Sequence, residues 1–140
     1  MGAKGVYQIA YRRYTHAVLS ARRGESEFIM KYKTTKKEVM SGYEHIIMIG
    51  YCGLQSLLSH RDPIAYTVRP EGWGADIYDF GNIAIVTGYA PFGNINPSYQ
   101  MCQQYEKRAE NVMKNQFSDW GHRALELDAI LNDFLTEATK

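Results

Sequence analysis

The stretch GYCGLQSLLSH, Gly50 to His60, carries the side chain with the clearest reactive potential, Cys52. It sits between Gly50 and Gly53 and ahead of Leu54, Leu57 and Leu58, as a thiol at a helix N-terminus would. There the helix dipole lowers the thiol pKa and makes a nucleophile. A Cys–His hydrolase also needs a histidine within hydrogen-bond reach and a group that orients it. The histidines are His16, His45, His60 and His122. His60 falls eight residues after Cys52, at the far end of the same short helical segment. His45 precedes it on the strand leading in, and His122 falls between two expected C-terminal helices. No spacing pairs a base with the thiol. Cys52 therefore reads as a small buried apolar side chain, and no catalytic residue is assigned.

Other chemistries lack their residue patterns as well. There is no Cys-x-x-Cys, no His-x-x-x-His and no paired Glu-x-x-His, so no metal site and no cofactor are expected. Asp76 and Asp79 are three residues apart on an expected strand and point to opposite faces, so they form no carboxylate dyad. Phosphate loops of the Walker type are missing, although Gly72-Trp73-Gly74 and Gly93-Asn94 are loops whose backbone amides suit a phosphate as readily as a plain turn. Small basic clusters recur at Arg12-Arg13, Arg22-Arg23, Lys36-Lys37 and Lys107-Arg108. Each is by default a solvated face; gathered round one pocket, they would bind a small polyanion.

The most informative stretch runs from Ala65 to Asn94. It combines Tyr66, Tyr78, Tyr89, Trp73, Phe80 and Phe92 with glycines and asparagines. A hairpin of this composition builds either an interface or a pocket with close backbone approach.

These residues need a scaffold. Apolar residues from Val6 to Ala21 repeat at helical spacing and predict a helix over residues 4–23, stopped at Gly24. Phe28-Ile29-Met30 begins a short extended stretch. Thr35 followed by Glu38 is a capping-box spacing, opening a short helix that ends near Gly42. His45 to Tyr51 reads as a buried strand, Leu54 to Ser59 as a turn or two of helix, and Ile64 to Val68 as a strand. Ala75 to Phe80 and Ile83 to Tyr89 read as strands joined by Gly81-Asn82, a hairpin turn. Ser98 caps a helix whose apolar face runs Tyr99, Cys102, Tyr105, Ala109, Val112, Met113, Phe117. Gly121 breaks that pattern, and a second helical face follows through Leu127, Ile130, Leu131 and Phe134. The order predicts a single α+β domain over 1–140. A small antiparallel or mixed sheet occupies about 28–96, with an N-terminal helix, and two C-terminal helices occupy about 98–138.

The 140 residues suffice for one core, and the net charge of +1 gives no pull toward genomic nucleic acid. Two cysteines, no membrane-length apolar run and no signal-peptide core point to the cytoplasm. The 11 tyrosines suit stacking on a flat ligand or a protein interface.

Several motifs recur together: Gly50-Tyr51-Cys52, Leu54-Gln55, Leu57-Leu58, Pro63-Ile64, Tyr66-Thr67, Gly72-Trp73, Ala75-Asp76, Tyr78, Thr87-Gly88-Tyr89 and Pro91 to Asn94. As a set, covering the middle third of the chain, they resemble a group of small proteins of bacteriophages and their hosts. That pattern is similar to phage anti-Thoeris proteins of the first type. The resemblance implies immune evasion by sequestration. Such proteins hold cyclic ADP-ribose isomers made by TIR-domain immune proteins without cleaving them, and some also hold cyclic oligonucleotides. It also implies a symmetric homo-oligomer, a dimer or larger, with sites between subunits, acting in the host bacterial cytoplasm. A sponge needs aromatic faces and donors rather than a nucleophile. Trp73, Phe92 and Tyr89 are candidates to stack on a base, Asn94 to bond a base edge or ribose, and Arg22, Arg23, Arg108 and Arg123 to fork a pyrophosphate. Two rivals stand beside this reading: a protein-directed inhibitor such as an anti-CRISPR, using the tyrosine-rich hairpin as a contact patch, and a small Cys-dependent hydrolase.

Overall fold

The computed structural model describes residues 32–50, 53–68, 70, 74–88, 92–115 and 117–140. The helix expected over 4–23, the stretch at Phe28 to Met30 and Cys52 lie outside the described residues. The elements are β1 (Tyr32–Lys33), α1 (Lys36–Gly42), β2 (His45–Ile49), β3 (Ala65–Val68), β4 (Gly74–Phe80), β5 (Ile83–Gly88), α2 (Tyr99–Met113) and α3 (Trp120–Ala138). The five strands form one sheet in the order β1-β3-β4-β5-β2. Its inner pairs, β3–β4 and β4–β5, are antiparallel, and its outer pairs, β1–β3 and β2–β5, are parallel. The fold is α+β with a mixed sheet.

Local chemistry explains the element ends. Thr35 caps α1 by accepting from Glu38 N at 3.2 Å, and the Thr34 hydroxyl donates to the Glu38 carboxylate at 3.0 Å. Gly81, at φ +78°, makes the tight turn that brings Phe80 opposite Ile83. Ser98 accepts from Met101 N at the start of α2, and Asp119 accepts from His122 N at the start of α3. Gly121 was expected to interrupt the helical pattern, but it lies in the first turn of α3 together with His122. First-turn N–H groups have no intrahelical partner, and Asp119 supplies the cap.

Two cores sandwich the sheet. On one face, Ile47, Ile49 and Ile85 pack with Leu54, Leu57 and Leu58 and with the inward stripes of α2 and α3. Those stripes are Cys102, Tyr105 and Ala109 on α2, and Leu127, Ile130, Leu131, Phe134 and Leu135 on α3. Tyr105 meets Phe134 edge-on, with ring centroids 5.4 Å apart. The α2 stripe is narrower than the sequence pattern implies, because Tyr99 and Phe117 are 74% and 92% exposed. On the other face, Ile46, Ala65, Ala75, Ile77, Ala84 and Val86 pack with Val39, Tyr43 and Phe92. Among the described residues, no helix is long and apolar enough to cross a membrane.

Candidate functional site

Side chains alternate along a strand, and directly paired residues share a face. Tyr78 packs on the side of the sheet that carries α2 and α3, so Asp76, two residues before it, takes the same side. Register then adds Tyr66, opposite Asp76 on β3, and Thr87, opposite Asp76 on β5. The helices and the apolar turn cover the Ile47, Ile49 and Ile85 part of this face. Beside it lies an open cleft of about 770 Å³, floored by Tyr66, Asp76, Tyr78 and Thr87 and walled by the 53–63 segment.

Glycines shape one end of the cleft. A Cβ at Gly74 would lie 2.2 Å from the Thr67 carbonyl oxygen. Gly88 has φ +108°, and a Cβ there would lie 2.7 Å from the Gly74 oxygen. The chain approach at this end therefore requires residues without side chains.

The wall is pinned to both C-terminal helices. The Glu106 carboxylate on α2 accepts from Ser56 N at 2.9 Å and from Leu57 N at 3.1 Å. On α3, Asp128 Oδ1 lies 2.6 Å from His60 Nε2, and the His60 ring is almost wholly buried. Its Nδ1 is buried and meets no hydrogen-bond partner among the described residues. The Arg61 guanidinium lies 5.0 Å from the Phe80 ring centroid and 3.8 Å from Asp128. Arg61 and Asp62 both line the cleft.

Two carboxylates, Asp76 and Asp62, act on the Tyr78 phenol. Burial, then the charges of Asp76 and Asp62, push the Tyr78 phenol above its ordinary value. Tyr78 therefore stays a neutral O–H donor at physiological pH. Asp79 points to the opposite face, where the Tyr43 hydroxyl donates to it at 2.7 Å. Burial raises its pKa, and the Tyr43 hydrogen bond opposes the rise. Cys102 is buried on α2, and burial pushes its thiol up, away from the thiolate a nucleophile needs. Among the described residues, no three of His, Cys, Asp and Glu gather as a metal site would require.

The residues singled out from sequence fall in separate places. Trp73, Tyr89, Arg22 and Arg23 lie outside the described residues; Gly74 and Gly88, the chain neighbours of Trp73 and Tyr89, line the cleft. Phe92 is 6% exposed and belongs to the core on the far face of the sheet. Asn94 ties its loop to the edge of β2: its Oδ1 accepts from Ile46 N at 2.7 Å and its Nδ2 donates to Glu44 O at 2.9 Å. Arg108 pairs with Asp133 at 3.0 Å and lies over the Tyr105 ring, beside a shallow groove on α2. Arg123 donates to the Asn115 carbonyl oxygen, just past the end of α2. None of these four is among the described residues lining the cleft.

Of the residues that do line it, Tyr66 and Tyr78 belong to the aromatic stretch singled out from sequence, whereas Asp76, Thr87 and Arg61 were given no ligand-binding role. The available signal was the Asp76–Tyr78 alternation on β4, next to the tight turn that fixes its register against β5. The chain matches no known protein-family model, no curated protein sequence and no solved structure.

Proposed function

We infer that the protein is a phage immune-evasion protein that binds a cyclic nucleotide signal, a cyclic ADP-ribose isomer, and sequesters it without cleavage. It acts in the host bacterial cytoplasm as a homo-oligomer. The observation that carries this reading is the cleft of about 770 Å³, with two tyrosines, Asp76, Thr87 and Arg61 in its lining. Its size is that of a small-molecule site, and tyrosine rings beside a few polar groups are what a nucleotide-sized ligand requires. The motif set from Gly50 to Asn94, which carries the resemblance to the anti-Thoeris proteins, supplies much of this lining.

The test is retention and release. The protein is incubated with a cyclic ADP-ribose isomer, separated from free nucleotide, and heat-denatured. Recovery of the intact nucleotide, in a stoichiometric amount, is the expected result. Recovery of an altered nucleotide would replace sequestration with hydrolysis. No depletion at all would favour a protein-directed inhibitor, and exposed Tyr99, Phe117, Trp120 and Leu125 would then be the first surface to probe. Sedimentation at micromolar concentration should give a dimer or larger, and a clean monomer would remove the oligomer from the reading.

A further inference from the structure

The cleft runs along β4, and its two ends differ. Tyr78 and Gly74 face the same side of that strand, four residues apart, which is about 13 Å at the rise of a strand. Wall side chains gather at the Tyr78 end. Ile64 N donates to Ile77 O there, so Pro63 and Asp62 adjoin it. At the other end β2 and β5 pair Ile49 with Thr87, so Gly50 follows beside Gly88. Gly53 packs close to Gly50, and Gly88 close to Gly74. One end is aromatic, and the other is bare of side chains. The aromatic end is incomplete without a ligand. Tyr78 is partly buried, yet among the described residues its hydroxyl makes no hydrogen bond and its ring meets no other ring. The same holds for Tyr66 on the neighbouring strand. Buried phenols ordinarily find a partner. Asp76, between the two in register, has a partner of its own, so the groups open to a ligand at this end are the two phenols. Leu54 and Leu58 give the wall of the same cleft an apolar side, and Glu106 and Asp128 pin that wall in place. The slot between wall and sheet is therefore held at one width before a ligand arrives, which lowers the entropy cost of filling it.

We propose that the Tyr78 end of the cleft is a subsite for an uncharged, flat heteroaromatic ring, the nucleobase of the ligand, held between Tyr78 and the leucine side of the wall, with the Tyr78 and Tyr66 phenols donating to acceptor atoms on its edge. This rests on the reading of the protein as a nucleotide binder and adds which part of the nucleotide is recognised, and where. A flat ring buries its faces against aromatic and apolar groups and presents only its edge to donors. A phosphate at the same place would lose its water against leucines. The rest of the ligand extends along β4 toward the glycine end, where the lack of side chains leaves it room.

The experiment uses the full chain, with the Tyr78 ring as the readout. Adenosine and ribose 5-phosphate are titrated separately, and a cyclic ADP-ribose isomer in parallel. The aromatic proton signals of Tyr78 are identified by their absence from Tyr78→Phe. The expected result is that adenosine moves the Tyr78 ring signals upfield, as stacking on a flat ring does, and that ribose 5-phosphate, which has no such ring, leaves them in place. Tyr78→Phe should bind adenosine about fivefold more weakly, having lost one hydrogen bond, and Tyr78→Leu about tenfold or more, having lost the ring. If the leucine variant does not fold, the two ligand probes decide alone. Retention of the cyclic nucleotide with the Tyr78 signals unmoved by adenosine overturns the ring subsite and leaves sequestration intact. Ribose 5-phosphate moving those signals as far as adenosine does, or a folded Tyr78→Leu binding adenosine like the parent, overturns the subsite whatever the cyclic nucleotide does. Adenosine stacked at Tyr78 without retention of the cyclic nucleotide keeps the subsite and overturns the capture of that signal. Silence from both adenosine and the cyclic nucleotide overturns both.

Discussion

Glu106→Ala should unpin the wall of the cleft, and the structure gives the size of the effect. One carboxylate on α2 accepts from two backbone donors, Ser56 N and Leu57 N, at 2.9–3.1 Å. These N–H groups open the short turn that carries Leu54, Leu57 and Leu58, and all three leucines are buried. A hydrogen bond to a charged group contributes about 1.5–3 kcal/mol, and water replaces part of it at a half-buried site. The alanine variant should therefore lose about 2–3 kcal/mol. In a domain of this size that corresponds to roughly 6–10 °C in Tm. Glu106→Gln keeps a carbonyl acceptor but not the charge, and should lose about half as much. Urea denaturation followed by circular dichroism reads the difference as a lower midpoint at unchanged slope. Ligand binding measured well below the melting range should weaken in the same order, because the wall holds Gln55, Leu58 and Arg61 against the cleft. An alanine variant within about 0.5 kcal/mol of the parent would refute the argument, since a change that small belongs to a surface substitution.

Phe92→Ala should cost about 3–5 kcal/mol in chemical denaturation, the range for a buried aromatic; a loss below about 1 kcal/mol would place the ring outside the core. Gly88→Ala should destabilise by about 2 kcal/mol or more, because the backbone is at φ +108° and the new Cβ would sit 2.7 Å from the Gly74 oxygen. An unchanged denaturation midpoint would contradict that close approach. Tyr105 donates to the Glu137 carboxylate, and this bond with burial pushes its pKa from 10.0 to about 12. The folded value lies above the unfolded one, so the stabilisation is complete below about pH 10 and is lost as pH rises toward 12. An ultraviolet titration should show late-ionising tyrosines, Tyr105 among them, and in Glu137→Gln part of that late phase should move to lower pH. Arg108→Ala should change stability by no more than about 1 kcal/mol, since the Asp133 pair is exposed; a larger loss would show that the stacking on Tyr105 matters more than the charge.

Most of the scaffold was legible because its signals are local. Thr35 with Glu38, Gly81-Asn82 and Ser98 each specify a cap or turn within a few residues, and each stands where the sequence puts it. Gly121 misled because glycine looks the same in a loop and in the first turn of a helix; what decided it was Asp119, a cap two residues earlier. The site was less legible. Phe92 and Asn94 sit in a loop of binding-site composition, yet the ring fills the core beneath the sheet and the amide takes the place of a strand partner on the edge of β2. A loop that must close a sheet edge needs an apolar anchor and a two-sided hydrogen-bonding group, and those are the residue types a ligand also selects. Glu106 and Asp128 carry no sequence signal at all, because their partners lie 50 and 68 residues away in the chain.

The floor of the cleft shows the same limit in its sharpest form. Tyr66, Asp76 and Thr87 come from three strands and line up only across them, at right angles to the direction in which a sequence is read. Their alignment depends on register, and the register of β4 against β5 is fixed by one two-residue turn. A slip of β4 by one residue would bring Ala75 and Ile77 to the cleft side and send Asp76 into the apolar core on the other face. The side chains of Val39, Ile46, Ile77 and Phe92 in that core offer a carboxylate no hydrogen-bond donor, so the slip would bury Asp76 at a cost of several kcal/mol. The packing that stabilises one face of the sheet is thus what presents Asp76 on the other. The chemistry of the cleft follows from the core behind it as much as from the residues that line it.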